Sequence, residues 1–442
     1  MSSTMDLESK SGSAGSLPNI EPPKVYKIRW FILFLFVLFS ASNAMQWIQF
    51  SIISGVIRDY YGVSKEWVNW TSLIYMILYI PFIFPGSFLL EKLGLRLAIT
   101  IGILGTCLGA WIKVASVDPD RFYISFLGQG VVALSQVFVL SVPARLASVW
   151  FGPDQVSSAC SIGVFGNQIG IAAGFVIPPM IVPGGTVHEV TTQLYILFGG
   201  VAILTSVLLV LILLFFKNGP PTPPSYAAQQ QNEEKGSFFD SLKNLIKNKS
   251  FVLLLLAYGI NTGVFYAIST LLNEIVLNYY PGAEIDAGRI GLVIVVAGMA
   301  GSVCCGYVLD RFRKFKETTV VVYAFALIGM LVFTFTIDKG LYVVYVVAGG
   351  LGFFMTGLLS VGFEMGSELT YPEPEGTQAG LLNAAAQVFG IAFTNIYSPI
   401  FYQVNDTWAN MVMSVCLAVG LFMTACMSSD LRRQAAMAAA NK

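Results

Sequence analysis

Long apolar runs alternate with short polar breaks along this chain, and the runs share one length. A hydrocarbon layer of ~30 Å takes about 20 helical residues to cross. Twelve runs of that order stand at 28–53, 66–90, 96–116, 122–147, 155–182, 191–216, 251–278, 288–309, 317–337, 341–369, 376–403 and 407–428. Each predicts a membrane-spanning helix, because a chain in lipid must satisfy its own backbone N–H and C=O groups. Most breaks are only a few residues long. The exception follows the sixth run and holds Pro220-Pro221-Thr222-Pro223-Pro224 and a polar stretch from Gln229 to Lys235. At its end, Phe238-Phe239-Asp240-Ser241-Leu242-Lys243-Asn244-Leu245-Ile246-Lys247 places apolar and basic residues at helical spacing. That segment is expected to lie along the membrane surface. The expected division is a disordered tail over 1–27, six helices over 28–216, a linker over 217–250, six more helices over 251–428 and a second tail over 429–442.

Two short polar motifs recur 219 residues apart. Glu91-Lys92-x-Gly94-x-Arg96 joins the second and third runs, and Gly306-x-x-x-Asp310-Arg311-x-Arg313-Lys314 joins the eighth and ninth. The same offset relates Ser148 to Ser367, Pro153 to Pro372, Trp47 to Tyr266 and Gln168 to Gln387. Two copies of a six-helix unit, in parallel, account for it, with the first and seventh helices in equivalent places beside a central cavity. The fold class expected is therefore an all-α membrane protein of twelve helices in two parallel six-helix halves. The loop motifs resemble the A motif of the major facilitator superfamily. The second copy has its Gly-x-x-x-Asp-Arg form; the first has Ser87 where the leading glycine belongs and Glu91 for the aspartate. Both are expected to act in structure and gating: Glu91, Lys92, Arg96, Asp310 and Arg311, with Arg145, Glu364 and Glu368 near the same membrane side, are expected to latch the halves together. The bland alternative is snorkelling charge at helix ends.

Composition excludes a water-soluble fold: the chain is 55% hydrophobic and only 11% charged. Its 25 basic and 25 acidic residues cancel, so no nucleic acid or other polyanion is implied. Of the 25 lysines and arginines, 19 fall on the side of the termini, which predicts both termini in the cytosol. The six others are Arg58, Lys65, Lys113, Arg121, Arg289 and Lys339. The first 24 residues lack the basic start and apolar run of a cleavable signal. Cys107, Cys160, Cys304, Cys305, Cys416 and Cys426 all lie in apolar segments, with neither disulfide nor metal-site spacing. No nucleophile–base set appears, so no catalytic residues, metal or cofactor are expected. The sequon Asn405-Asp406-Thr407 falls in a very short outer loop, and Asn69-Trp70-Thr71 at the edge of the second helix.

Polar residues inside a membrane are costly, which makes them functional candidates. Near mid-depth are Asn43, Gln46, Trp47 and Gln49 on the first helix, Gln136 on the fourth, and Gln168 on the fifth. Asn261, Thr262 and Tyr266 lie on the seventh, and Asn383 and Gln387 on the eleventh. Asn43 and Trp47 share a helix face at four-residue spacing, as do Thr262 and Tyr266, and Asn383 and Gln387. No Asp, Glu, Lys, Arg or His is placed at mid-membrane, and the single histidine, His188, is read as an outer-loop residue. A cavity of aromatics and amides without carboxylates suits a cation of diffuse charge, since quaternary ammonium groups bind over Trp and Tyr faces. Against this, Trp and Tyr also form interfacial belts and amides also join helices. Gly166, Gly170 and Gly174 on the fifth helix predict a close-packing face, and Pro178-Pro179 a bend.

Longer strings carry a narrower resemblance. Asn43-Ala44-Met45-Gln46-Trp47-Ile48-Gln49-Phe50-Ser51-Ile52-Ile53, Leu108-Gly109-Ala110-Trp111-Ile112-Lys113 and Ala147-Ser148-Val149-Trp150-Phe151-Gly152-Pro153 resemble the feline leukaemia virus subgroup C receptor-related transporters. So do Phe165-Gly166-Asn167-Gln168, Ser269-Thr270-Leu271-Leu272-Asn273 and Glu368-Leu369-Thr370-Tyr371-Pro372-Glu373-Pro374-Glu375-Gly376. The resemblance spans about residues 28–428. It implies facilitated transport of choline and of ethanolamine, with Trp47 and Tyr266 as the aromatic pocket and Gln136 and Gln387 as its glutamines. Asn43, Gln168 and Asn383 complete the expected substrate set. The alternatives are haem export, with Tyr266 or a cysteine as ligand, and a membrane receptor that moves nothing. The expected setting is a monomer in the plasma membrane, with an endomembrane or mitochondrial membrane as the alternative.

Overall fold

The computed structural model describes residues 24–152, 155–224, 238–373 and 375–440. Residues 1–23 of the expected N-terminal tail, the glutamine-rich stretch of the linker and the last two residues lie outside them. Among the described residues twelve helices are long and apolar enough to cross a membrane. They are Ile28–Tyr61, Lys65–Leu90, Leu95–Ala115, Phe122–Trp150, Ser158–Ile181, Val187–Phe215, Lys249–Tyr279, Glu284–Leu309, Phe315–Thr336, Leu341–Thr370, Gly376–Gln403 and Asp406–Ala425, called here the first to twelfth spans. Among the described residues two short helices lie outside the spans, Phe238–Lys247 and Arg432–Ala440. No strand occurs among the described residues.

Hydropathy located every span but misplaced some ends, which local hydrogen bonding sets. The first span was expected to stop at residue 53. It continues through a 3-10 turn at Ser51–Ile53 and a helix Ser54–Tyr61, ending where Gly62 adopts a left-handed φ of 64°. Glycine meets that conformation without a Cβ penalty. The sixth span begins at Val187, four residues early, because Thr186 and Glu189 form a reciprocal capping box. His188 therefore sits in an exposed first helical turn rather than a loop. Asn405 of the sequon caps the twelfth span, its side chain accepting the Trp408 N–H at 2.9 Å. The fifth span runs on through Pro178 and Pro179 to Ile181.

The two six-span sets pack alike. The first span lies on the fifth, the second on the fourth, and the third on the fourth and sixth. Correspondingly, the seventh lies on the eleventh, the eighth on the tenth, and the ninth on the tenth and twelfth. Between the sets, the fifth meets the eighth and the second meets the eleventh, which is one contact made twice under the repeat. The expected glycine face exists: a Cβ on Gly166, Gly170 or Gly174 would run into the first-span backbone at Val37, Ala41 or Met45. In lipid, where neighbouring tails are as apolar as leucine, such close backbone packing replaces the hydrophobic drive. The first and seventh spans are the most buried, with 72% of each apolar window covered against 33–50% for the other ten.

Direct hydrogen bonds between the two sets gather at the end remote from the termini, the far end. Ser54 Oγ donates to Asn273 Oδ1 at 3.0 Å, and Asn273 Nδ2 donates to the Ile52 carbonyl at 2.8 Å. Ser72 and Thr270 hydroxyls meet at 2.8 Å, and Asn69 Nδ2 reaches Ser398 Oγ at 3.3 Å. This conformation is closed at the far end.

Candidate substrate cavity

Where the two most buried spans meet, Trp47 and Tyr266 face each other. Their ring centroids are 5.6 Å apart and the planes cross at 71°, the edge-to-face arrangement aromatic quadrupoles favour. Trp47 is 6% exposed. Around the pair the structure adds two tyrosines that periodicity did not single out. Tyr79 of the second span and Tyr258 of the seventh are 1% and 2% exposed and lie within electrostatic reach of Tyr266. Gly390 on the eleventh span makes room here: a Cβ would press on Met76 Sδ and on the Tyr266 side chain. Gln387 faces the Tyr266 hydroxyl, Asn383 the Tyr79 hydroxyl and Thr262 the Tyr258 hydroxyl. Four spans, two from each set, thus place aromatic faces and neutral amides together.

The other expected residues divide. Gln136 presents a buried Oε1 with no hydrogen-bond partner, and Gln168 is half-buried. Among the described residues no hydrogen bond ties either to the aromatic group. Asn43 is spent on packing: its amide nitrogen donates to Thr106 Oγ1 and to the Val132 carbonyl, both at 3.1 Å, leaving only Oδ1 unpartnered. Asn261 behaves likewise, donating to the Met355 carbonyl at 3.0 Å. Gln49 keeps both amide atoms buried and unpartnered.

Gln129, which sequence reading passed over, holds the first span in register. Its Nε2 donates to the carbonyls of Gln46 and Thr71, both at 2.9 Å. Tyr75 assists, its hydroxyl donating to the Asn43 carbonyl at 3.2 Å.

Two buried ionisable groups lie near the far ends of their spans, away from mid-depth. Lys113 is 1% exposed; its ammonium donates to Gln46 Oε1 at 3.0 Å and lies 5.3 Å from the centre of the Phe50 ring. Glu274 is 8% exposed on the seventh span. Lys113 was placed on that side by the charge count; Glu274 was hidden, because the seventh span is apolar enough to absorb one charge.

The expected latch residues are engaged within one set of spans in this conformation. Arg96 donates to the Leu213 carbonyl at 3.0 Å, and its backbone N–H donates to Asn218. Glu364 and Glu368 both bind Arg433 of the C-terminal helix, at 2.9 and 3.0 Å. Glu368 is fully buried beneath it. Burial alone would lower the Arg433 pKa; the two carboxylates outweigh that and raise it above the usual arginine range. Lys92 sits over the Phe88 ring. Arg145 is half-buried, and its carbonyl accepts the Ser148 hydroxyl. Arg311 is exposed. The side chains of Glu91 and Asp310 lie outside the described residues.

A repeated six-helix unit with aromatic rings and neutral amides gathered between its halves is the architecture of an integral multi-pass membrane transporter for a small molecule. The Major Facilitator Superfamily profile matches residues 32–395. A bacterial homolog of the human lysosomal transporter Spinster, solved in an inward-facing, unoccupied conformation, superposes with a TM-score of 0.69. It is 12% identical, covering 92% of this chain and 99% of that one, which speaks to fold alone. The choline/ethanolamine transporter FLVCR2 of Homo sapiens is 47% identical over 419 residues, 93% of this chain and 80% of the relative. The choline/ethanolamine transporter flvcr2b of Danio rerio is 48% identical over 418 residues, 93% of this chain and 86% of the relative. The uncharacterized MFS-type transporter C09D4.1 of Caenorhabditis elegans is 52% identical over 418 residues, 94% of this chain and 71% of the relative. The chain belongs to the Major Facilitator Superfamily, in the branch of feline leukaemia virus subgroup C receptor-related transporters.

Proposed function

We propose that this chain is a facilitative carrier of choline, and of ethanolamine, working by alternating access. One observation carries the reading: two aromatic rings at repeat-equivalent positions, Trp47 and Tyr266, meet at 5.6 Å across the interface of the halves. A single ammonium group can lie within ~6 Å of both ring centres, the reach of a cation–π contact. Tyr79 and Tyr258 extend the apolar wall for the methyl groups. Gln387, Gln136 and Asn383 supply amide partners for the hydroxyl, with Asn43 Oδ1 and Gln168 at the edge of the set. The side chains grouped around the rings are neutral, so binding a cation there requires no protonation step, which favours uniport. The names of the relatives support the substrate class.

The halves, 28–216 and 251–428, act as the moving bodies and 217–250 as the tether. Far-end contacts part as the opposite end closes. Glu91, Lys92, Arg96, Asp310, Arg311 and Arg145 then lock that opposite end, with Glu364 and Glu368 passing from Arg433 to the other half. The carrier works as a monomer in the plasma membrane with both termini cytosolic.

The test is uptake of radiolabelled choline into proteoliposomes holding the purified protein, with and without Trp47→Ala. Saturable uptake, indifferent to a pH gradient and lost in the variant, is expected. No saturable uptake by folded wild-type protein would overturn the reading.

A further inference from the structure

The far end holds a second group of polar side chains that its hydrogen bonds do not explain. Glu274 follows Asn273, which closes the two halves through Ser54 and Ile52. Both Glu274 carboxylate oxygens are buried with no hydrogen-bond partner. Facing the carboxylate are the hydroxyls of Ser54 and Tyr402 and the guanidinium of Arg58. The Tyr402 hydroxyl and Arg58 Nε are themselves buried and unpartnered. At the rim, Lys65 lies 3.5 Å from the centre of the Tyr402 ring, and Glu66 faces the same tyrosine. Lys65 and Glu66 offset each other in charge. Among the described residues no N···O contact within 4.0 Å joins Glu274 to Arg58.

A buried carboxylate with no direct partner is costly, and side chains kept only for packing are seldom charged. The placement gives the charge a use. Arg58 belongs to the first span and Glu274 to the seventh, so the pair straddles the interface that must open. While the far end is closed, Arg58 offsets the carboxylate across a short gap. When it opens, Arg58 leaves with its own half and the carboxylate faces the far-side solution alone.

We infer that Glu274 is a capture site for small organic ammonium ions, bared when the far end opens and neutralised by Arg58 when it closes. The deeper aromatic group carries no carboxylate, so the attraction acts at the entrance, where it speeds arrival without holding the cation at the bottom. On closure the returning guanidinium displaces the cation from the carboxylate, leaving the aromatic rings as its next contact. The ammonium class of ligand rests on the function proposed above; the bared carboxylate does not.

Two experiments separate the two. In the first, Tyr402→Cys is placed beside the carboxylate, and its modification by a cationic and an anionic methanethiosulfonate is timed from the far side. The unsubstituted protein is the background. An open, hydrated site puts the pull of one charge at 4 Å near 1 kcal/mol, about fivefold in rate. The cationic reagent should therefore lead, and adding Glu274→Gln should slow it about fivefold, and narrow its lead over the anionic reagent about 25-fold, while Glu274→Asp keeps both. An advantage unchanged by Glu274→Gln overturns the inference, whatever the protein transports. In the second, Glu274→Gln should raise the KM for far-side choline about fivefold with kcat held, and Arg58→Gln should lower both KM and kcat. A Glu274→Gln KM equal to wild type overturns the capture role. Absence of choline flux in the wild type counts against the proposed substrate and leaves the labelling result to decide the site.

Discussion

Removing one ring of the aromatic pair is the sharpest perturbation available. Trp47 is 6% exposed, so a cation against it is desolvated and the upper cation–π value of about 2 kcal/mol applies. At 1.4 kcal/mol per decade, its loss weakens cation binding about 30-fold. Truncating a buried tryptophan to alanine also opens a cavity, at about 3–5 kcal/mol in a packed core. Trp47→Leu is the cleaner change, since it keeps apolar volume and removes the π face. The assay is half-saturation of choline uptake in proteoliposomes, with 3,3-dimethyl-1-butanol as a neutral competitor of the same shape. A cation–π site discriminates the two by charge alone. Trp47→Leu should cut that discrimination about 30-fold while its elution profile matches wild type. Equal discrimination in the two proteins would refute the assignment of Trp47 to the ammonium group.

Asn273→Ala removes both inter-half bonds made by that amide. At about 1 kcal/mol per net hydrogen bond, the far-end-open population should rise on the order of 30-fold, read as faster thiol labelling from that side. Gly170→Val drives a side chain into the Ala41 backbone, and overpacking of this kind costs about 1–3 kcal/mol. A lower melting temperature and poorer yield are expected, and an unchanged melting temperature would deny the close contact. Arg433→Ala takes the charge partner from fully buried Glu368 and leaves it only the neutral donors of Gln434. Losing one member of a buried pair costs about 3–5 kcal/mol, and the partial exposure of Arg433 trims this to about 2 kcal/mol. Arg433→Lys should not restore the stability, because a single ammonium does not match two carboxylates as a guanidinium fork does.

The spans and their duplication were legible because bilayer thickness and backbone satisfaction leave few choices, and because polar residues at one offset are hard to produce by chance. Trp47 and Tyr266 were legible for the same reason. Tyr79 was not: it sits in Tyr75-Met76-Ile77-Leu78-Tyr79, an apolar run in which a tyrosine reads as an interfacial belt residue. The four-residue spacing of Tyr75 and Tyr79 was the available signal. Gln129 was hidden because register-holding amides look like any other polar residue near a helix end. The far-end bond was within reach of the repeat: Ser54 and Asn273 are 219 residues apart and lie two helical turns beyond Trp47 and Tyr266. Glu364 and Glu368 were assigned by membrane side alone, and depth does not reveal that a C-terminal helix already occupies them.

Trp47 with Tyr266, and Ser54 with Asn273, are contacts between a position and its own repeat copy. In a symmetric dimer of identical six-helix chains, each would be a residue meeting itself on the two-fold axis, and any substitution would appear on both sides at once. Joining the copies in one polypeptide removes that constraint. One ring can then be an indole and the other a phenol, and a hydroxyl donor can face an amide oxygen. A ligand with a charged head and a polar tail has no two-fold axis of its own. Because the pairs on the axis are unlike, the two ends of such a ligand meet different chemistry and only one orientation is favoured.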